Sequence, residues 1–163
     1  MTQKVIVIDT YCVDTSAFID FFWDYPPDVF EGLWSHFETA ADQGRIIAPD
    51  QVFVELEQIE DGLLAWARKH RPMFRACDAD QVAGAQHILR DFPTLVDPDK
   101  TGSAADPFVC ALGKEGHSVV TSEGMRGAGG RPTIPSVCQS YHVRCIDLLE
   151  LFRLENWRWS RPV

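Results

Sequence analysis

The chain has 163 residues, 45% of them hydrophobic, and a formal net charge of −9. That length fits a single domain, residues 1–163, and the apolar share is enough to build a core. The acidic balance argues against a protein that holds nucleic acid through a broad positive field, although acids grouped to bind divalent cations are compatible with it. No run approaches the roughly twenty apolar residues of a membrane helix, and the start shows no small-residue cleavage site, so the chain reads as cytoplasmic with no membrane partner. Five cysteines without a Cys-x-x-Cys pair fit buried free thiols in a reducing compartment.

Val5 to Val13 reads as a strand buried on both faces, with residues 1–10 an extension of it or a loose leader. Of two Asp-Thr pairs, Asp14-Thr15 ends the strand, because a Thr or Ser cap there leads into the helical run Ala-Phe-Ile-Asp-Phe-Phe. Asp28 caps a helix through about Gln43, with Val29, Leu33, Phe37 and Ala40 or Ala41 on one face and Gly44 as its stop. Arg45 to Ala48 is a short strand. Pro49-Asp50 opens a helix with Val52, Leu56 and Ile59 as its stripe, bordered by Glu55.

Leu63 to His70 is a further helix, Arg71 to Arg75 a basic turn, and Asp78 to Arg90 a helix weakened by Gly84. Phe92 to Ser103 is a long loop of the kind that carries function or motion. Ala104 to Lys114 is a helix, His117 to Thr121 a strand, and Met125 to Pro132 a flexible, positive, glycine-rich loop. Pro135 to Tyr141 is a short helix, Val143 to Ile146 the last strand, and Asp147 caps a final helix. Strands alternating with helices mean an α/β fold with a mainly parallel sheet.

Four acids fall at element ends or inward faces: Asp14, Glu55, Asp106 and Glu123. Parallel strands end on one edge of a sheet, so Asp14 and Glu123 are expected as neighbours there. Oxygen ligands gathered in this way suit Mg²⁺ or Mn²⁺, and without a cation their repulsion favours protonation of at least one. Each also has a plainer reading: Asp106 before Pro107 as a helix N-cap, Glu55 as a solvated helix residue, Glu123 as a loop acid.

Val-Asp-Thr-Ser-Ala-Phe-Ile, Val-Glu-Leu, Ala-Asp-Pro-Phe-Val-Cys-Ala-Leu-Gly and Val-Val-Thr-Ser-Glu, in that order, resemble the PIN domain. More closely, they are similar to PIN-like proteins of unknown function encoded in bacterial toxin–antitoxin loci. The likeness extends to Ile-Pro-Ser-Val-Cys and Val-Arg-Cys-Ile-Asp-Leu-Leu-Glu-Leu near the end. It implies a PIN-like three-layer α/β/α fold and a metal-dependent ribonuclease of the VapC toxin type. Asp14, Glu55, Asp106 and Glu123 would be its catalytic acids, and Asp14, Asp106 and Glu123 the ligands of Mg²⁺ or Mn²⁺. Ser16 and Thr121 would support them. The implied partners are an RNA substrate, an antitoxin and a second copy of the chain. The fourth acid of such domains is often Asp, so Glu123 is a departure, and so is the stretch before Tyr11.

Arg126 and Arg131, beside Glu123, are candidate RNA contacts; the Arg68, Lys69, Arg71 and Arg75 cluster reads more readily as solvated surface. Trp157-Arg158-Trp159-Ser160-Arg161 suits either base stacking or packing on the body or a partner. The five histidines lack metal-ligand spacing. Two other functions compete with the ribonuclease: a non-catalytic PIN-like binding module, and an Asp14-nucleophile phosphatase, which lacks the second Asp expected two residues later.

Overall fold

The computed structural model describes residues 8–59, 61–99 and 102–158. Its centre is strand β1 (Tyr11–Val13), all three residues of which are buried. A strand flanked by neighbours on both edges and covered on both faces favours largely apolar side chains and admits a polar group only with a partner, which accounts for Tyr-Cys-Val. Ile8, Asp9 and Thr10 lie outside it, with Ile8 64% exposed, so the expected strand is shorter at its start; Val5 to Val7 lie outside the described residues. Its end is where the sequence puts it. Asp14 follows Val13 and caps α1 (Thr15–Asp24) with its own side chain, where the pattern predicts a Thr15 or Ser16 cap.

Helix α2 (Glu31–Asp42) starts later than expected and buries Trp34, Phe37 and Ala40, while Val29 is 63% exposed ahead of it. Gly44, at φ +72°, supplies the left-handed turn into β2 (Ile46–Pro49). Helix α3 (Asp50–Glu57) buries Val52, Phe53, Glu55 and Leu56; Ile59 falls beyond its end and is exposed. Asp61 caps α4 (Gly62–Lys69) by accepting from the amides of Leu63 and Leu64.

The expected basic turn at 71–75 contains an edge strand, β3 (Phe74–Arg75), which pairs with Ala48 and Pro49. Two residues are too short for any periodicity to announce. Helix α5 (Ala79–Asp91), capped by Asp78, packs on α6 (Asp106–Lys114), where Gly84 allows close approach: a Cβ there would lie 3.1 Å from that of Ala111. Then come β4 (Ser118–Val120), α7 (Ile134–Ser140), β5 (Cys145–Ile146) and α8 (Leu148–Leu154), the last two helices each started by a capping box.

The strands run in the order β3-β2-β1-β4-β5, and every pair is parallel. This is an α/β fold with an all-parallel five-stranded sheet between helices, the three-layer arrangement the sequence predicts. Helix α6 packs on β1, β2 and β4 and carries α5 and α7 beside it. Elsewhere an aromatic cluster of Phe18, Phe21, Trp34, Phe37 and Trp66 joins α1, α2 and α4, with Phe21 and Trp34 stacked at 4.1 Å. Trp157 is 9% exposed and packs against Phe37 and Phe152, so this part of the aromatic tail belongs to the body; Trp159 to Arg161 lie outside the described residues. All five cysteines are free, three of them buried. Among the described residues no helix is long and apolar enough to cross a membrane.

Chain order places β2 and β3 on one side of β1 and β4 and β5 on the other. The direction of winding therefore reverses between β1 and β4. At such a switch point the helices leaving the strand ends diverge to opposite faces and open a crevice at the carboxyl edge. Asp14 follows β1, and Thr121 to Glu123 follow β4.

Candidate functional site

Asp14 is 3% exposed and fully hydrogen-bonded. Its Oδ1 accepts from the Ala17 amide at 2.9 Å and the Ser16 hydroxyl at 2.9 Å; its Oδ2 accepts from the Thr121 hydroxyl at 2.7 Å. Burial pushes this carboxyl up to about 7, against the pull of the Ala17 amide and the Thr121 hydroxyl, and Glu123 adds to the rise. The register of β1 against β4, with Val13 opposite Val120, sets Thr121 beside Asp14. Thr121 also accepts from the Glu123 amide at 3.1 Å, and Ser16 from the Ser122 amide at 3.1 Å. Two side-chain hydroxyls thus tie the first acid to the loop that bears the fourth.

Asp106 is placed differently. It is the first residue of α6, the N-cap being Ala105, and no side chain caps the helix. The plainer reading of Asp106 as a cap therefore does not describe it. Its carboxyl is 8% exposed and pushed up to about 9, by burial first and then by the charges of Glu123, Asp14 and Glu55, with no hydrogen bond among the causes. These three charges are the ones the sequence grouped with it.

Glu55 is likewise buried at 8% exposure, not solvated on its helix. Its Oε2 accepts from the Thr15 hydroxyl at 2.5 Å and its Oε1 from the Ala105 amide at 2.9 Å. It therefore joins the starts of α1 and α6, and with Thr15, Ser16 and Ile19 it lines a cavity of about 250 Å³. Asp106 and Glu123 line a different one, of about 300 Å³, with Arg126 on its wall. Glu123 is half-buried, and its Oε2 accepts from the Ile134 amide at 2.9 Å, the first residue of α7.

The two arginines on the 125–132 loop have different fates. Arg131 is ion-paired to Asp97 and donates to the Thr94 carbonyl at 3.0 Å, so it clasps the 92–103 loop instead of standing free for phosphate. Arg126 is exposed and makes no ion pair among the described residues. The loop itself is wound: residues 128–130 form a 3₁₀ turn, Gly129 and Gly130 have φ of +65° and +77°, and a Cβ on Gly127 would meet the Arg131 carbonyl at 2.5 Å. The loop expected here as glycine-rich and positive thus contains a turn of its own. In the other basic group, Arg71 pairs with Asp50 at 2.5 Å and lies over the Phe53 ring at 4.2 Å.

The sequence did not announce Thr15, the Ala105 and Ile134 amides, or Asp97 as supports of this region. Thr15 has a signal in the Asp-Thr-Ser run, but that signal predicts a cap and not a hydroxyl that donates to Glu55. The backbone donors have no side-chain identity to read.

The donor set is chemically right for a hard divalent cation: carboxylate oxygens only, buried or half-buried, mutually repelling, with Asp106 accepting no hydrogen bond among the described residues. As the side chains stand, no three His, Cys, Asp or Glu residues among those described form a group arranged to hold an ion. The chemistry fits, while a closed coordination shell is not laid out.

Fold and site together define an α/β protein with buried carboxylates at the switch point of a parallel sheet. The family model described as Domain of unknown function (DUF4411) matches residues 11–159, and the chain belongs to that family. No curated protein matches it.

Proposed function

We propose that the protein is a metal-dependent endoribonuclease with a PIN-like site, acting as the toxin of a toxin–antitoxin pair. The observation that carries this reading is Asp14 and Asp106, both buried within the field of Glu123, with none of the three ion-paired among the described residues. Burying acids together without a counter-charge is costly, and proteins tolerate it chiefly where a cation or a proton is handled. Asp14, Asp106 and Glu123 are the residues that would hold Mg²⁺ or Mn²⁺. Such an ion, when bound, neutralises the acids, polarises a phosphodiester and lowers the pKa of a water.

The chain's own residues do the placing. Ser16 and Thr121 fix the Asp14 carboxylate against rotation, and the Ile134 amide holds the carboxylate of Glu123, which lines one cavity with Asp106. Glu55 holds the first turn of α6, and with it Asp106, against α1. Hydrolysis by water would leave a 5′-phosphate and a 3′-hydroxyl. An antitoxin covering the crevice and a second copy of the chain are the partners this reading carries, and a reducing interior suits its free thiols.

Purified protein incubated with structured RNA, single-stranded DNA and a phosphomonoester, with EDTA, Mg²⁺ or Mn²⁺, tests the proposal. Metal-dependent RNA cleavage should fall at least about a hundredfold, the order of a lost electrostatic stabiliser, in Asp14→Asn and in Asp106→Asn. RNA binding without turnover in either metal would leave only a binding module. Phosphomonoester turnover that survives Asp106→Asn would make the protein a phosphatase.

A further inference from the structure

Next to the cavity of Asp106 and Glu123 lies a larger one, of about 500 Å³, bounded by Phe92, Pro93, Met125 and Arg126. The two adjoin across the 125–132 loop, for Arg126, Gly127, Arg131 and Pro132 line both. The volume is within the range of about 300–1,000 Å³ typical of small-ligand sites. The walls differ in kind: Asp106 and Glu123 on one side, and on the other a ring, a proline and a thioether, with Asp91 and Ser136 at their margin.

These walls are held in place. Phe92 is half-buried and packs edge-to-face on Tyr141, with ring centroids 6.0 Å apart, and the Tyr141 hydroxyl donates to Asp91. The Arg131 clasp to Asp97 and Thr94 fixes the 125–132 loop to the segment that follows Phe92. Met125 is nonetheless 50% exposed, a large apolar side chain left open beside a charged site. Burying it would be favourable, and a flat, polarisable partner suits both the thioether and the ring. Between the apolar walls and the acids stands Arg126, exposed and without an ion pair among the described residues.

We propose that this second cavity is a nucleobase subsite. The base of the nucleotide beside the scissile phosphate lies against Met125 and the face of Phe92, and Arg126 takes the phosphate linking it to the acids. The proposal rests on the ribonuclease reading. Stacking on such surfaces accepts any base, so the subsite sets how the strand is seated more than which sequence is chosen. A flexible single strand fits better than a duplex, whose bases are not free to leave the stack.

The test is fluorescence anisotropy with a labelled single-stranded RNA hexamer and with its abasic counterpart of the same backbone, together with cleavage kinetics. Met125→Ala and Phe92→Leu should each weaken binding of the RNA at least about fivefold, the lower end expected for one stacked base. The abasic strand should bind both variants as it binds the wild type. In cleavage, KM should rise by the same factor with kcat retained. Unchanged RNA binding in Met125→Ala, or an equal loss on both strands, overturns the subsite. Met125 is exposed, so its variant decides the matter should Phe92→Leu fail to fold. A wild type that binds RNA more tightly than the abasic strand, loses this preference in Met125→Ala and cleaves neither would uphold the subsite and remove the nuclease.

Discussion

A carboxyl group with no hydrogen-bond partner among the described residues, and with the charges of Glu123, Asp14 and Glu55 around it, governs the residue scale. At acid pH the folded and the unfolded chain both hold the Asp106 proton. Above about pH 4 the unfolded chain releases it, whereas the folded chain keeps it up to about 9. The folded state therefore binds more protons across that window, and its stability falls as pH rises, most completely above the folded value. Asp106→Asn, neutral throughout, removes this slope. In EDTA, the drop in Tm between about pH 5 and about pH 8 should be smaller in the variant than in the wild type. A difference of about 1 kcal/mol corresponds to roughly 2–4 °C in a domain of this size. An unchanged drop would show that the carboxyl is not ionising against its neighbours. The sequence groups Asp106 with the same three acids whose charges act on it, because a helix start after a long loop is a place where a carboxylate can face a sheet edge. It could not show that Ala105 and not Asp106 is the cap, since that depends on one φ/ψ pair.

Among the elements, α6 places Asp106 and lies across three strands. Its closeness to the sheet is permitted by Gly113, where a Cβ would meet Val119 Cγ2 at 2.7 Å and Val143 Cγ1 at 2.8 Å. Both neighbours are β-branched and stiff in χ1, so neither can turn away cheaply. Gly113→Ala should cost about 1–3 kcal/mol by overpacking, in spite of the better helix propensity of alanine, as measured by chemical denaturation. A neutral or stabilising outcome would mean that helix and sheet are less tightly apposed. Most elements were legible in the sequence through hydrophobic period, and Asp147 caps the last helix as expected; that Asp61 and Asp78 also cap their helices is a finding of the structure. Strand β3 was not legible, because two residues carry no pattern and pair only where β2 offers an edge.

Across the whole molecule, the far end of the described chain fastens the centre of the sheet. Glu155, just after α8, accepts from the Tyr11 hydroxyl at 2.7 Å and from Arg45 at 2.7 Å. Tyr11 is 0% exposed, and burial together with this carboxylate raises its phenol well above the ordinary range. Glu155→Ala should therefore cost about 1–3 kcal/mol, chiefly through a buried hydroxyl left without a partner. Adding Tyr11→Phe should cost less in that background than in the wild type, and a double-mutant cycle in urea reads the coupling. Strict additivity would dismiss the pair as a stabilising contact.

By itself the sequence determined the α/β class, the parallel sheet and the end of the first strand, because these follow from local apolar periodicity and from which residues can start a helix; the three layers were what the family resemblance implied. It also marked Asp14, Glu55, Asp106 and Glu123, since acids at element boundaries stand out against an apolar pattern. Only the tertiary structure decided that Glu55 and Asp106 face separate cavities, that Arg131 is spent on Asp97 while Arg126 is left free of ion pairs among the described residues, and that two hydroxyls bind Asp14 to the Glu123 loop. Those contacts join segments up to 107 residues apart in the chain. Their geometry is set by strand register and loop closure, which no local pattern encodes.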